Sequence, residues 1–375
     1  MAKPTIAIIG GGLAGLVNAI VLSKTGFEVT LIERKKYPFN RVCGEYVSNE
    51  VLPFLNSLGV FPLLMGAAQI NTLKVTSVNS NTLNQQLDLG GFGLSRFKLD
   101  DLLYQKAQTL GTKFILETKV NDVIFKDEKF YIALADKQPL QADLVIGSFG
   151  KRSNIDQKLN RKFFYQRSPY LGVKYHIKTQ FPTNLIQLDN FEGGYCGLSK
   201  IEDDLFCLCY LTQNSQLKKH GSIPEMEKMV LHKNTHLKHI FENSDFVWHK
   251  PETINEISFE QKSTIDNHIL MSGDSAGMIT PLCGNGMAMA IHSASLLSQC
   301  IIKHTVAGIS ANSRANLEKE YNYLWQQKFA KRLFIGRSLQ RLFGSNTISN
   351  LAVGMLSNLP SVSGYLISKT HGKKF

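Results

Sequence analysis

Apolar and polar positions change period along the chain, and the changes mark its elements. Ile6, Ala7, Ile8 and Ile9 form a short apolar run, which fits a strand buried in a parallel sheet. Leu13 to Ser23 then has an apolar helical pattern that breaks near Gly26, and Val29 to Ile32 is a second apolar strand ending on Glu33. Asn49 to Leu58 reads as a helix ending at Gly59, and Leu73 to Leu89 as strands of alternating polarity. Phe97 to Leu110 reads as a helix with Asp100 and Asp101 near its N-terminus, where the dipole favours acids. Lys113 to Glu117 is a strand, Val120 to Phe125 and Phe130 to Leu134 an antiparallel meander, and Gln141 to Gly147 another buried strand. Between Arg161 and His249 lie alternating strands at Gly172 to Ile177, Gly194 to Leu198 and Leu205 to Tyr210, then a helical stretch at Pro224 to Lys233. Ile269 to Ser272 is a short strand, a helix runs from Gly286 to about Ile302, and Asn312 to Phe375 is helical.

The first elements carry chemistry. Gly10, Gly12 and Gly15 form a G-x-G-x-x-G turn that spans Ala14, between strand and helix, with Glu33 and Arg34 after the next strand. Gly10 allows the sharp turn, Gly12 lets a pyrophosphate approach the backbone, and Gly15 lets the helix lie close on the strand. The free N–H groups of the helix face the phosphates, and Glu33 can accept bonds from ribose hydroxyls. The full strand–turn–helix–strand–acid context favours a dinucleotide site over a glycine-rich turn of another α/β protein.

With 375 residues the chain can hold two domains, or one large domain with a cap. Its net charge of +12 predicts attraction to anionic cofactors or membranes; nucleic acid has only that charge in its favour and is not expected as a partner. None of the six cysteines forms a C-x-x-C pair and no His/Cys cluster has zinc-ligand spacing, so reduced thiols in a cytoplasmic protein and no metal are expected. The N-terminal apolar run lacks the basic flank and cleavage site of a signal peptide, and no stretch is long and apolar enough to span a membrane.

Four ordered segments resemble FAD-dependent flavoproteins of the para-hydroxybenzoate-hydroxylase type, which have a glutathione-reductase-type nucleotide domain. The first is the fingerprint with Glu33 and Arg34. The second is LSRFKLDDLLYQKA, where the resemblance makes Arg96 an FAD contact. The third is Gly147-Ser-Phe-Gly150-Lys-Arg-Ser153, which departs from the family by having Phe149 in place of an aspartate that contacts FAD and NAD(P)H. The fourth, Gly273-Asp274 through Pro281, Gly284, Asn285, Gly286 and Met287, looks like the family segment around the flavin. There Asp274 would bind the ribitol, Pro281 bend the chain past the ring, and the helix from Gly286 aim its N-terminus at the pyrimidine end. Arg41 to Ser48 is also similar to the cysteine–glycine segment of geranylgeranyl reductases, which makes Arg41 a cofactor partner and Cys43 a pocket residue. Val120 is also counted among the candidate cofactor residues.

The resemblance implies an α/β fold of a Rossmann-like FAD domain (1–72, 92–155 and 262–305), an antiparallel-sheet substrate domain (73–91 and 156–261) and a helical C-terminal region (306–375). Its first functional implication is a monooxygenase that hydroxylates an apolar aromatic or polyketide-like substrate through a flavin C4a-hydroperoxide. The alternatives are a C=C reductase of an isoprenoid or polyene lipid, and a flavin-binding protein without turnover. NAD(P)H is the expected reductant, and a partner reductase would equally account for Phe149. No catalytic base is identifiable.

Phe163, Phe164, Tyr165, Tyr170, Tyr175, Phe191, Tyr195, Phe206 and Tyr210 are available to line an apolar cavity, although each alone reads better as core. His220, His232, His236 and His239 read as solvated surface, and His292 and Ser293 as packing residues. After Glu320 no acid occurs, whereas Lys328, Lys331, Arg332, Arg337, Arg341, Lys369, Lys373 and Lys374 do. Phe329, Leu333, Leu342 and Phe343 can share a helix side. A packing helix over the pocket with a solvated basic face is the plainer reading, and peripheral membrane contact the functional one.

Overall fold

The computed structural model describes residues 3–79, 81–166, 168–255, 257–342 and 346–375, with the backbone alone at 339–342, 346–348, 352 and 360. Two sheets organise the chain. The first has six strands in the order Ile265–Asp266, Ile269–Met271, Leu144–Gly147, Ile6–Ile9, Val29–Ile32, Lys113–Ile115. All neighbours are parallel except the first pair. Flanked on both edges, Ile6, Ala7 and Ile8 are fully buried, which is why their run is apolar without alternation. The helix Leu13–Lys24 packs between Arg96–Thr109 and Gly286–Thr305.

Gly10 has φ +100°, and a Cβ there would lie 2.4 Å from the Ser148 carbonyl oxygen; one at Gly15 would lie 2.0 Å from the Gly10 oxygen. Only glycine fits either position. The meander Val120–Lys126, Lys129–Leu134 and Leu140–Ala142 forms a separate three-stranded sheet, as its alternation predicts.

The nine-stranded sheet follows the order Asp245–Phe246, Tyr170–Lys178, Phe206–Gln213, Gly194–Lys200, Leu185–Phe191, Ala68–Thr76, Thr82–Gly93, Tyr46–Ser48, with Glu252–Asn255 also on Tyr170–Lys178. It therefore takes in Tyr46–Ser48 and starts again at Ala68, outside the expected 73–91 segment. One face packs on Ile223–Val230 and Thr235–Glu242 through Val173, Tyr175, Leu208, Tyr210, Met226, Val230 and Leu237. Leu185–Phe191 is absent from the sequence reading because buried polar residues disguise its alternation. Gln187 and Asp189 turn inward, where Asp189 accepts from Thr76 Oγ1 at 2.6 Å and from Gln187 Nε2 at 2.8 Å.

The helical C-terminal region consists of Ala311–Leu342, Asn346–Ser357 and Pro360–Thr370. Leu317, Tyr321, Trp325, Phe329 and Leu333 recur every four residues on the long helix and are buried, so Phe329 and Leu333 belong to a packing face. Phe343 lies outside the described residues, as do the side chains of Arg341 and Leu342. Among the described residues no helix is long and apolar enough to cross a membrane.

Candidate functional site

A cavity of about 1200 Å³ runs from the Gly10–Gly15 turn, past Pro281–Met287, to the open face of the nine-stranded sheet. Gly10, Gly12, Ala14, Glu33, Arg34, Arg41, Cys43, Arg96, Val120, Gly150, Gly273, Asp274, Pro281, Gly284, Gly286 and Met287 line it. The sequence reading also put Gly15, Gly147 and Asn285 at the cofactor, but these three do not line the cavity. Gly15 and Gly147 are packing glycines: a Cβ on Gly147 would meet Met271 Sδ and Phe149 Cε1 at 2.8 Å. Asn285 is buried and donates from Nδ2 to the Thr370 carbonyl at 2.8 Å, which ties the last helix to the loop before Gly286.

The polar end is built around one carboxylate. Asp100, fully buried, accepts from Arg96 Nε and Nη2 at 2.7 Å and from Arg41 Nε at 3.0 Å. A buried acid placed here for its helix terminus thus holds two guanidinium groups side by side at the mouth of the glycine turn. Burial opposes the Arg96 charge, but Asp100 outweighs it and raises the guanidinium pKa further. Arg41 Nη2 reaches Glu33 Oε2 at 3.3 Å, and the same oxygen accepts from the Gly11 N–H at 2.8 Å. Asp100→Asn frees both arginines. Flavin affinity is expected to fall about tenfold or more, read by fluorescence titration with FAD.

A second cluster supports the Arg41–Tyr46 loop. Glu45, at φ +55°, accepts from Lys174 Nζ and His176 Nε2, both at 2.6 Å, and from the Arg96 N–H at 2.8 Å. Lys174 Nζ also donates to the Arg41 carbonyl at 3.1 Å. Burial opposes the Glu45 charge, but His176 and Lys174 hold its pKa below the ordinary value. Glu45, His176 and Cys207 bring ligand-type atoms within 4.8 Å of one another, a grouping that the sequence spacing gave no sign of. Lys174 supplies the positive charge at that point. Because the folded pKa of Glu45 is depressed, its stabilising contribution is full above about pH 4.5 and is lost as pH falls through the folded value. Thermal scans from about pH 6 down to 3 should show a steeper acid loss in the wild type than in Glu45→Gln.

Lys262 is a third support. Its Nζ donates to the Lys151 and Asp274 carbonyls at 2.7 and 2.8 Å, which joins the Gly150 turn to the Gly273 segment. Burial lowers its pKa to about 8. No motif marks it in the sequence. Ser293, expected to be a packing residue, accepts from the Gly273 N–H at 3.2 Å, and His292 stacks on Phe375 at 3.8 Å.

The far end is apolar. Leu73, Val75, Leu83, Leu87, Ile186, Leu188 and Leu211 come from the sheet, and Val353, Leu356, Leu366 and Ile367 from the last two helices. Of the aromatics considered from sequence, the side chains of Phe164 and Tyr195 reach the cavity, whereas Tyr175, Phe191, Phe206 and Tyr210 pack in the core under the helices. Tyr165 is exposed. The wall is thus largely aliphatic, because the aromatics on alternate strand positions face the other side of the sheet. Between the two ends sits Tyr195, buried against Leu211, Ile257, Met278 and Leu282, with no hydrogen-bond partner on its hydroxyl. Burial keeps this phenol protonated far above its ordinary range.

FAD fits these residues. A Cβ at Gly12 would meet nothing nearer than Arg96 Nη2 at 3.9 Å, and one at Gly286 nothing nearer than Ile279 Cγ2 at 3.8 Å. Packing within the chain therefore does not require glycine at either position, and the space beside both is cavity. Asp274 lines the same space, and burial raises its pKa.

Comparison with known proteins agrees. Residues 3–310 match the model of the FAD binding domain family. Geranylgeranyl diphosphate reductase of Synechocystis sp. is 22% identical over 358 residues, covering 90% of this chain and 84% of that protein. Violacein synthase of Chromobacterium violaceum is 28% identical over 186 residues, 43% of this chain and 42% of that one. The flavin-dependent halogenase CmlS superposes with a TM-score of 0.75 at 21% identity, covering 89% of this chain; the chain spans 64% of its length. These likenesses show the para-hydroxybenzoate-hydroxylase-like fold expected from the sequence. The chain belongs to the FAD binding domain family and is an FAD-dependent oxidoreductase of that superfamily.

Proposed function

We propose that the chain reduces a carbon–carbon double bond in an elongated apolar substrate, with NAD(P)H as the source of electrons. The observation that carries this reading is the aliphatic continuation of the cavity, walled by the sheet on one side and by Val353, Leu356, Leu366 and Ile367 on the other. A chain-like hydrocarbon suits such a space better than a single aromatic ring.

Arg41 and Arg96 would bind the cofactor pyrophosphate, Glu33 its ribose and Asp274 its ribitol. The N–H groups at the start of Gly286–Thr305 would face the ring, where the helix dipole favours negative charge. When bound and reduced by NAD(P)H, the flavin would supply the hydride for one alkene carbon. Tyr195 holds the proton for the other: its hydroxyl is unpartnered and lies where apolar side chains exclude water.

The test is turnover with NAD(P)H and polyprenyl or polyene lipids under ¹⁸O₂. The expected product has gained two hydrogens and no label. A labelled hydroxyl would replace this reading with hydroxylation, and flavin that is never reoxidised by any substrate would favour a binding role. Tyr195→Phe should lower turnover by about 10²-fold while leaving flavin reduction by NAD(P)H unchanged, read by stopped-flow absorbance.

A further inference from the structure

The last two helices carry apolar residues on two faces. On Asn346–Ser357, Val353 and Leu356 turn inward onto Val75, Leu83 and Leu73, while Leu351 and Met355 stand on the opposite side, 72% and 63% exposed. On Pro360–Thr370, Leu366 and Ile367 wall the cavity, while Val362 and Tyr365 are 45% and 61% exposed. Leu359, in the connection, is 41% exposed. The inner face is explained by the cavity. The outer one is left uncovered by the described residues, and a run of large apolar groups facing water is costly.

Charge indicates what covers it. From Tyr321 onward the sequence contains no Asp or Glu. Lys369 lies on the last helix and Lys373 and Lys374 follow it after His371 and Gly372, while Lys328 and Lys331 are exposed on the long helix against which it packs. The occupant must therefore accept apolar side chains and carry negative charge. Both requirements are met by the interface of an anionic bilayer, where apolar groups enter the headgroup–acyl boundary and lysines meet lipid phosphates.

We infer that the outer face of Asn346–Ser357 and Pro360–Thr370 docks on an anionic phospholipid surface. The docking itself does not depend on the reaction catalysed. Its use rests on the function proposed above: a hydrocarbon substrate passes from the bilayer between these helices into the cavity that their inner faces wall.

The test is co-sedimentation of the FAD-loaded protein with vesicles of phosphatidylcholine alone and of phosphatidylcholine mixed with phosphatidylglycerol, without substrate. Binding to the mixed vesicles, released by salt, is expected. It should weaken by about tenfold or more in Leu351→Asp/Met355→Asp and in Lys373→Ala/Lys374→Ala, with flavin content unchanged. No binding to either vesicle, equal binding to both, or unchanged binding in both double variants overturns the inference. So does concentration-dependent self-association that the first double variant abolishes, which would assign the face to a second copy of the chain. Because no turnover is measured, failure of the proposed reduction leaves this result standing, and the reverse holds too.

Discussion

Gly12→Val is expected to give a folded protein that purifies without flavin. The position has φ −83° and ψ −172°, which any residue adopts, and a Cβ there has no neighbour closer than 3.9 Å. Valine therefore costs the fold little, within about 1 kcal/mol. In the loaded protein its branched carbons occupy the space into which the pyrophosphate must come, so FAD affinity should fall by at least about 100-fold. The measurement is flavin absorbance of the purified variant, then reconstitution with FAD, beside thermal unfolding of both apoproteins. Gly15→Val is the contrasting case: its Cβ would lie 2.0 Å from the Gly10 oxygen, and the variant should fail to fold rather than fail to bind. If Gly12→Val kept its flavin, the phosphate site would lie elsewhere.

The second large effect belongs to Lys174. Its side chain is fully buried and its pKa is raised: burial opposes the charge, but Glu45 more than compensates. Lys174→Met leaves Glu45 buried with only His176 and the Arg96 N–H to hold its charge. Breaking a buried pair in this way costs about 3–5 kcal/mol, whereas replacing both partners is far milder. The single variant should unfold at markedly lower urea, and Lys174→Met/Glu45→Gln should recover at least about half of that loss. Because Lys174 also holds the Arg41 carbonyl, the single variant should bind FAD more weakly as well. A double variant no more stable than the single one would mean that the cluster is not an electrostatic unit.

The parts of the site that were legible in the sequence are the local ones. The strand, the glycine turn, the helix and Glu33 lie within a single short stretch, and their spacing alone dictates that they meet. The Pro281–Met287 loop and the Arg96 helix were found because each is also a contiguous pattern. What escaped was long-range. Asp100 reaches Arg41 across 59 positions, and Glu45 reaches Lys174 across 129 and His176 across 131, so no periodicity reports them. The substrate wall escaped for a related reason. Val353 and Leu356 look like ordinary packing residues until the sheet they oppose is known. Tyr195 stood among several strand aromatics, and only the pairing register separates the face it shares with Gly197 from the face that holds Tyr210.

The claim on which the rest depends is that one cofactor lies across both glycine-bearing turns, with an apolar channel beyond its ring. The direct measurement is a crystal structure of the protein reconstituted with FAD. The account predicts the pyrophosphate within hydrogen-bond reach of the Gly12 N–H and Arg96, and the ring against Pro281–Gly284 with its open side toward Tyr195. A flavin ring outside that cavity, or a pyrophosphate away from the Gly10–Gly15 turn, would contradict it.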